Sequence, residues 1–311
     1  MDILNLLLQI IILAFGFILL VKGADWFVDG SSSVAVKLKI PQIVIGLTIV
    51  AMGTSAPEAA VSITAALSGN AAITVGNIVG SNILNILIIL GLSSVIVPLA
   101  VANSTIKFDI PVMIAITVLL MIFGADGVIS LFEGIIFLVI FLSYLAYLFI
   151  MTKKDNEPAK IREMSFLKAI IFTVIGLLLI ILGSKLTVDS ATKIAQFFGI
   201  SERFIGLTVV ALGTSLPELF TSVNAARKGN ADIAIGNIVG SNIFNILFVI
   251  GISAVIIPVP FETAFMADTV AAIGSAVLLL LCSLDYKKIT RFGGVIMLLC
   301  YAAYFVFLLY K

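Results

Sequence analysis

Ten apolar segments, each near the ~20 residues that cross a bilayer as a helix, leave this chain almost no other way to fold. They run over 3–21, 41–67, 73–98, 108–124, 130–150, 166–184, 203–226, 233–257, 267–284 and 292–310. Their apolar character is continuous, which fits helices, because membrane strands would alternate every second residue. One polar stretch, 152–165, divides them five and five; it carries Lys153, Lys154, Asp155, Glu157, Lys160, Arg162 and Glu163. Only 11% of the residues are charged, against about 25% in soluble domains, so the chain cannot cover a water-facing surface. The formal net charge of +1 gives no field that would draw nucleic acid. The expectation is an all-α polytopic membrane protein with ten transmembrane helices.

Absences narrow the chemistry. The chain has no histidine, hence none of the commonest metal ligand and general base. Its two cysteines, Cys282 and Cys300, lie in apolar stretches and read as small core residues. The start, Met1-Asp2-Ile3, lacks a basic region, and its apolar run continues past Leu20 without a small-residue cleavage site; it reads as a retained first span.

The two halves repeat each other at a constant offset of 160. Gly53-Thr54-Ser55-Ala56-Pro57-Glu58 recurs as Gly213-Thr214-Ser215-Leu216-Pro217-Glu218, and Gly76-Asn77-Ile78-Val79-Gly80-Ser81-Asn82-Ile83 returns unchanged from Gly236 to Ile243. Between Gly46 and Asn85, 26 of 40 positions match their counterparts, more than shared hydrophobicity gives. A unit of five spans is odd-numbered, so its copy must lie upside down in the membrane, the inverted-repeat plan of secondary transporters. The expected division is a first five-helix repeat over 1–151, a cytoplasmic linker over 152–165, and a second, inverted repeat over 166–311. Placing the N-terminus outside puts fourteen of the 18 basic residues on the inner side and leaves Lys185, Lys193, Arg203 and Lys311 on the outer, a strong positive-inside bias. The linker is then cytoplasmic and the C-terminus outside.

Among the 17 carboxylates, Glu58 and Glu218 lie deep in the second and seventh spans; the rest read as loop or span-end groups. A charge at a helix centre costs about 2.5–3.5 kcal/mol on insertion scales, and no lysine or arginine shares these spans to offset it. A mobile cation is the natural partner. Pro57 and Pro217 lack an N–H and crowd the residue four back, freeing the carbonyls of Gly53 and Gly213. Such broken backbone is tolerated at membrane depth where it lines a cavity or is buried in protein. Thr54, Glu58 and Ser62, like Thr214, Glu218 and Ser222, are spaced to share one helical face. Asn77, Ser81 and Asn85, and Asn237, Ser241 and Asn245, form a second stripe that either lines the site or glues helices together. Asn82 and Asn242, one residue off it, read as packing. Helices 2, 3, 7 and 8 are therefore expected to be broken and to form the core. Two carboxylates, carbonyls, hydroxyls and amides suit a hard cation such as Ca²⁺, which takes six to eight oxygens, and disfavour soft metals. Lys22, Asp25 and Asp29, with Lys185 and Asp189, read as interfacial pairs and snorkelling heads.

The paired Gly-Thr-Ser-x-Pro-Glu and Gly-Asn-x-x-Gly-Ser-Asn-x-x-Asn segments resemble the two α-repeats of the calcium/cation antiporter superfamily, and within it prokaryotic sodium/calcium exchangers. The resemblance implies exchange of external Na⁺ for Ca²⁺ by alternating access, with no cofactor and with the first and sixth spans sliding across the core. It implies that Glu58, Glu218, Thr54 and Thr214 bind Ca²⁺. Na⁺ would use the same four residues with Ser55, Ser215, Ser81, Ser241, Asn85, Asn245 and the carbonyls of Ala51 and Ala211. Gly53, Pro57, Gly213, Pro217, Asn77 and Asn237 would be structural. Some relatives, potassium-dependent exchangers among them, carry aspartate where this chain has Asn245, which argues against potassium co-transport. The large regulatory loop of animal exchangers is missing. Proton/calcium exchangers show a different Gly-Asn-x-x-Glu motif, leaving H⁺ as the alternative counter-ion; a calcium channel is a further alternative, disfavoured by the inverted repeat. An enzyme is not expected, since an intramembrane hydrolase would need a nucleophile–base or paired-aspartate arrangement. The expected partners are the two ions and the lipid bilayer, with no nucleic acid and no identifiable protein partner; a monomer is expected to suffice for transport.

Overall fold

The computed structural model describes residues 3–67, 69, 71–151, 164–199 and 211–310. The fold is almost wholly helical. The elements are α1 (Ile3–Leu38), α2 (Gln42–Thr54), α3 (Ala56–Leu67), α4 (Thr74–Ile96) and α5 (Thr105–Asp126), α6 (Leu131–Met151) and α7 (Phe166–Phe197). Then come α8 (Ala211–Thr214), α9 (Leu216–Arg227), α10 (Ala231–Ile256), α11 (Thr263–Leu284) and α12 (Arg291–Tyr310). Among the described residues, eight helices are long and apolar enough to cross a membrane, and the bent pair α2–α3 makes a ninth. The span expected over 203–226 is described only from 211 onward, as α8 and α9, and the linker charges from 152 to 163 lie outside the described residues.

Four two-residue strands reveal how the halves are related. β1 (Leu99–Ala100) pairs antiparallel with β4 (Lys288–Ile289), and β2 (Val128–Ile129) with β3 (Val259–Pro260). Helix α5 separates β1 from β2, so the two small sheets mark opposite ends of the bundle. Leu99 and Val259 are counterparts 160 residues apart, yet they lie in different sheets. These two equivalent positions thus sit at opposite ends, as an inverted repeat requires.

Helices α4 and α10 form the interior and are buried along most of their length, while α1, α6, α7 and α12 expose long rows of leucine, isoleucine and phenylalanine to the surroundings. That outward apolar surface explains why Cys300 is exposed and not, as expected, a core residue, while Cys282 is half-buried. The expected breaks in the third and eighth spans take another form: α4 and α10 run without interruption and widen into π-turns over Asn85–Leu90 and Asn245–Ile250. Such wide turns recur at functional sites.

Helices α1 and α7 have 36 and 32 residues. At 1.5 Å per residue they measure about 54 and 48 Å, longer than a bilayer's hydrocarbon core of ~30 Å. They pack against each other through small residues at heptad spacing, Gly16, Gly23 and Gly30 against Gly183, Gly176 and Ala169. A Cβ on Gly176 would lie 2.5 Å from the Phe27 backbone nitrogen, so the backbones approach as closely as glycine allows. Two further pairs brace the periphery. Buried Asp109, assigned from sequence to a span end, accepts a hydrogen bond from Tyr144 Oη at 3.0 Å, and Asp268 accepts one from Tyr304 Oη at 3.1 Å.

Candidate cation site

Each half bends its helix at the same residue. α2 and α8 run to a threonine, the next serine leaves helical geometry (Ser55 φ −81°, ψ 7°; Ser215 φ −91°, ψ 7°), and a new helix starts immediately after it. In the first half the axis turns by 51°. Proline two residues on removes the N–H that would have continued the ladder. The freed Gly213 carbonyl accepts a hydrogen bond from Ser184 Oγ of α7 at 2.8 Å. The counterpart of Ser184 is Ala24, which has no hydroxyl to offer Gly53.

The restart places Glu58 and Glu218 in the first turns of α3 and α9, where the positive end of the helix dipole favours an anion. Both are sealed from the surface, at 1% and 0% exposure. Because Thr54 and Glu58 belong to different helical segments, Thr54, Glu58 and Ser62 do not share the continuous face expected from their spacing, and the second half differs in the same way. Ser62 and Ser222 instead accept from Asn77 and Asn237, at 3.0 and 2.8 Å. Those asparagines also donate to the Glu58 and Glu218 carbonyls, each at 3.4 Å, tying α4 and α10 to the restarted helices.

The polar groups meet across the halves. Ser55 Oγ donates to Glu218 Oε1 at 2.7 Å, and Ser215 Oγ to Glu58 Oε1 at 3.3 Å. Thr54 Oγ1 donates to Asn237 Oδ1 at 2.9 Å, and Ser241 Oγ to the Ala51 carbonyl at 3.4 Å. Ser81, Asn85 and Asn245 are buried on α4 and α10; Ala211 begins α8 and Thr214 ends it. Each of these serines thus serves the glutamate of the other half, a pairing that linear spacing does not reveal. The signal was present in the inversion itself, since a two-fold relation brings equivalent residues together across its axis.

Four oxygens remain. Glu58 Oε2, Glu218 Oε2, Asn85 Oδ1 and Asn245 Oδ1 are buried with no hydrogen-bond partner among the described residues. An acceptor left unmatched in a protein interior costs about 1–3 kcal/mol, more if charged, so four together suit an outside partner that carries positive charge. Among the described residues the ion-paired lysine, Lys228, goes instead to Asp25 and Asp29, both at 2.7 Å. That contact extends the expected interfacial pairing, tying α1 to the residue after α9, and Lys228 also donates to the Asp25 carbonyl at 3.0 Å.

The serine hydroxyls allow a first prediction. A hydrogen bond to a charged group contributes about 1.5–3 kcal/mol, so Ser55→Ala is expected to weaken cation binding by roughly ten- to a hundredfold while leaving the fold intact. Isothermal titration of the purified variant with CaCl₂ checks this; unchanged affinity would show that the Ser55 hydrogen bond to Glu218 does not support cation binding.

Two helices interrupted at a serine pack against two buried continuous ones around a cluster of oxygen acceptors, an arrangement that suits a membrane transporter of hard cations. The chain belongs to the sodium/calcium exchanger family: the model described as "Sodium/calcium exchanger protein" matches residues 8–150 and 168–310. Among curated relatives, CaxA of Alkalimonas amylolytica is 41% identical over 312 residues, covering 96% of this chain and 98% of that one. The sodium/calcium exchanger MaX1 of Methanosarcina acetivorans is 32% identical over 346 residues, covering 96% and 98%. The solved structure of the sodium-calcium exchanger NCX_Mj soaked with zero Na⁺ and Ca²⁺ superposes with a TM-score of 0.86 at 34% identity, covering 97% of this chain and 99% of that one. The chain is thus a multi-span membrane transporter and not an enzyme; Na⁺ and Ca²⁺ are the family's cargo, and no cofactor is required.

Proposed function

We propose that this chain exchanges Na⁺ for Ca²⁺ across the cell membrane by alternating access, the two ions competing for one set of oxygens. The observation that carries this reading is the group of four buried, unpartnered acceptors on Glu58, Glu218, Asn85 and Asn245. Two carboxylates neutralise one Ca²⁺ or two Na⁺, and calcium's demand for six to eight oxygens is met by adding hydroxyls, carbonyls and water. In this reading Ca²⁺ takes Glu58, Glu218, Thr54 and Thr214. Na⁺ takes those four with Ser55, Ser215, Ser81, Ser241, Asn85, Asn245 and the carbonyls of Ala51 and Ala211. Gly53, Pro57, Gly213 and Pro217 make the breaks, and Asn77 and Asn237 hold them.

The same proposal assigns the halves to 1–151 and 166–311, joined by a cytoplasmic linker over 152–165, with both termini outside and one chain sufficient for transport. The distribution of basic residues supports the orientation. The close glycine-lined seam between α1 and α7 supports their moving together as the sliding pair.

Vesicle flux is the test. With the chain reconstituted, an outward Na⁺ gradient is expected to drive ⁴⁵Ca²⁺ uptake that a protonophore does not affect and that K⁺ does not replace. Uptake that follows a pH gradient instead would make H⁺ the counter-ion, and uptake without any counter-gradient would make the protein a channel.

A further inference from the structure

Each of the two unpartnered asparagine oxygens belongs to a side chain that could equally have turned its NH₂ toward the cation. Oxygen and nitrogen of an amide are nearly isosteric, so only hydrogen bonding decides which faces inward. The structure contains the device that decides it. Asn82 Nδ2 donates to the Asn242 backbone carbonyl at 3.2 Å, and Asn242 Nδ2 donates to the Asn82 carbonyl at 3.1 Å. A backbone carbonyl only accepts, so each of these amides must present its nitrogen there and its oxygen to the other side. Those oxygens in turn accept from the next pair: Asn85 Nδ2 donates to Asn242 Oδ1 at 3.0 Å, and Asn245 Nδ2 to Asn82 Oδ1 at 3.1 Å. The NH₂ groups of Asn85 and Asn245 are thereby held by protein, and Oδ1 is left bare in both. All four side chains are buried, at 4% exposure or less, so water does not compete. The carbonyls belong to the α-to-π junction, where the Asn85 N–H is shared between the Asn82 and Ser81 carbonyls and the Asn245 N–H between those of Asn242 and Ser241.

We propose that Asn82 and Asn242 are positioning residues for cation binding, locking the amides of Asn245 and Asn85 so that oxygen faces the ion. The proposal rests on the cation-site reading above and gives the two residues a role beyond packing. It also makes orientation in each half depend on the other, since Asn82 of the first repeat sets Asn245 of the second.

The test uses a substitution for which orientation is irrelevant. A carboxylate presents oxygen whichever way it turns, so Asp at 245 needs no lock. In the full-length purified chain, Asn82→Ala is expected to raise about tenfold the Na⁺ concentration that displaces bound ⁴⁵Ca²⁺ when 245 is Asn, the scale of one hydrogen-bond preference. With Asn245→Asp as the background, the same Asn82→Ala change is expected to raise that concentration less than about twofold, because the lock no longer matters. An equal rise in both backgrounds would overturn the proposal, since lost packing weakens binding whatever occupies 245. The mirror set, Asn242→Ala with and without Asn85→Asp, repeats the test should the first variant not fold. Failure of both alanine variants to give monodisperse protein in either background would assign the pair to packing and overturn it too. Glu218→Gln, measured alongside, separates the two levels. If it binds Ca²⁺ like the parent, the cation-site reading itself fails; if it does not bind while Asn82→Ala costs nothing, only the positioning role falls.

Discussion

Glu58→Gln and Glu218→Gln are each expected to bring sodium-driven ⁴⁵Ca²⁺ flux to background. Glutamine keeps the shape of the side chain but removes one of two charges in a site with no basic neighbour in hydrogen-bond contact among the described residues, so a divalent ion is left half neutralised. The loss is set at no less than about a hundredfold in calcium affinity, or ~2.7 kcal/mol. Stability should move the other way. Each glutamate is at most 1% exposed, and replacing an uncompensated buried charge by a neutral isostere relieves its desolvation cost. The variants are therefore expected to unfold at the same temperature as the parent or higher in ion-free buffer. A ligand that binds only the folded state raises the midpoint by mass action, so the parent's midpoint should climb with CaCl₂ and the variants' should not. Wild-type flux, or a calcium-dependent midpoint in either variant, would dismantle the two-glutamate site.

Gly240→Ala is expected to do comparable damage from outside the site. A Cβ there would lie 2.6 Å from the Leu47 carbonyl oxygen and 2.8 Å from the Ala51 Cβ. Neither neighbour is the yielding tip of a long side chain; both belong to the backbone region of α2 just before its bend. One turn earlier, Gly236 meets Gly46 and the Ile43 carbonyl at about the same range, so α10 and α2 touch main chain to main chain along this seam. Overpacking a seam of this kind costs about 1–3 kcal/mol. The forced separation also shifts the Ala51 carbonyl, which Ser241 reaches at 3.4 Å. A misplacement on the ångström scale costs on the order of a hundredfold in function. The expected result is flux reduced by that factor, with a lowered unfolding midpoint. Normal flux would show that α2 and α10 can part without disturbing the site.

Much of this was legible in the residues. Apolar length pointed to the long helices, of which eight, or nine with the bent pair, are long and apolar enough to span among the described residues; the offset of 160 pointed to an inverted repeat, and Glu58 and Glu218 stood out because charge at membrane depth needs a partner. What periodicity could not show is where a helix departs from 3.6 residues per turn. The Thr54–Glu58–Ser62 spacing assumes an unbroken helix, whereas the first segment ends at Thr54, three residues before the proline at 57. The Asn77–Ser81–Asn85 spacing suggested another break, but α4 absorbs its irregularity as a π-turn, for which the sequence carries no proline. Cross-half contacts were also hidden, because sequence distance says nothing about which of two identical motifs a side chain faces. Asn82 illustrates this: one residue off the stripe, it reads as packing, yet the two-fold relation turns it toward Asn242 and Asn245. The α1–α7 seam could have been seen, since Gly16, Gly23 and Gly30 are spaced by seven, as are Ala169, Gly176 and Gly183.

The exchange of hydroxyls between halves bears on how the protein is made. Glu58 leaves the ribosome some 160 residues before Glu218 and Ser215, and Ser215 is the hydroxyl that contacts its carboxylate. Through that interval the nascent first half must keep a glutamate at membrane depth without the neighbours that complete its surroundings, at a cost of the order of 2.5–3.5 kcal/mol. Insertion of the second half therefore finishes the first as well, and a chain truncated before Ser215 should be recognised by the cell as unfinished.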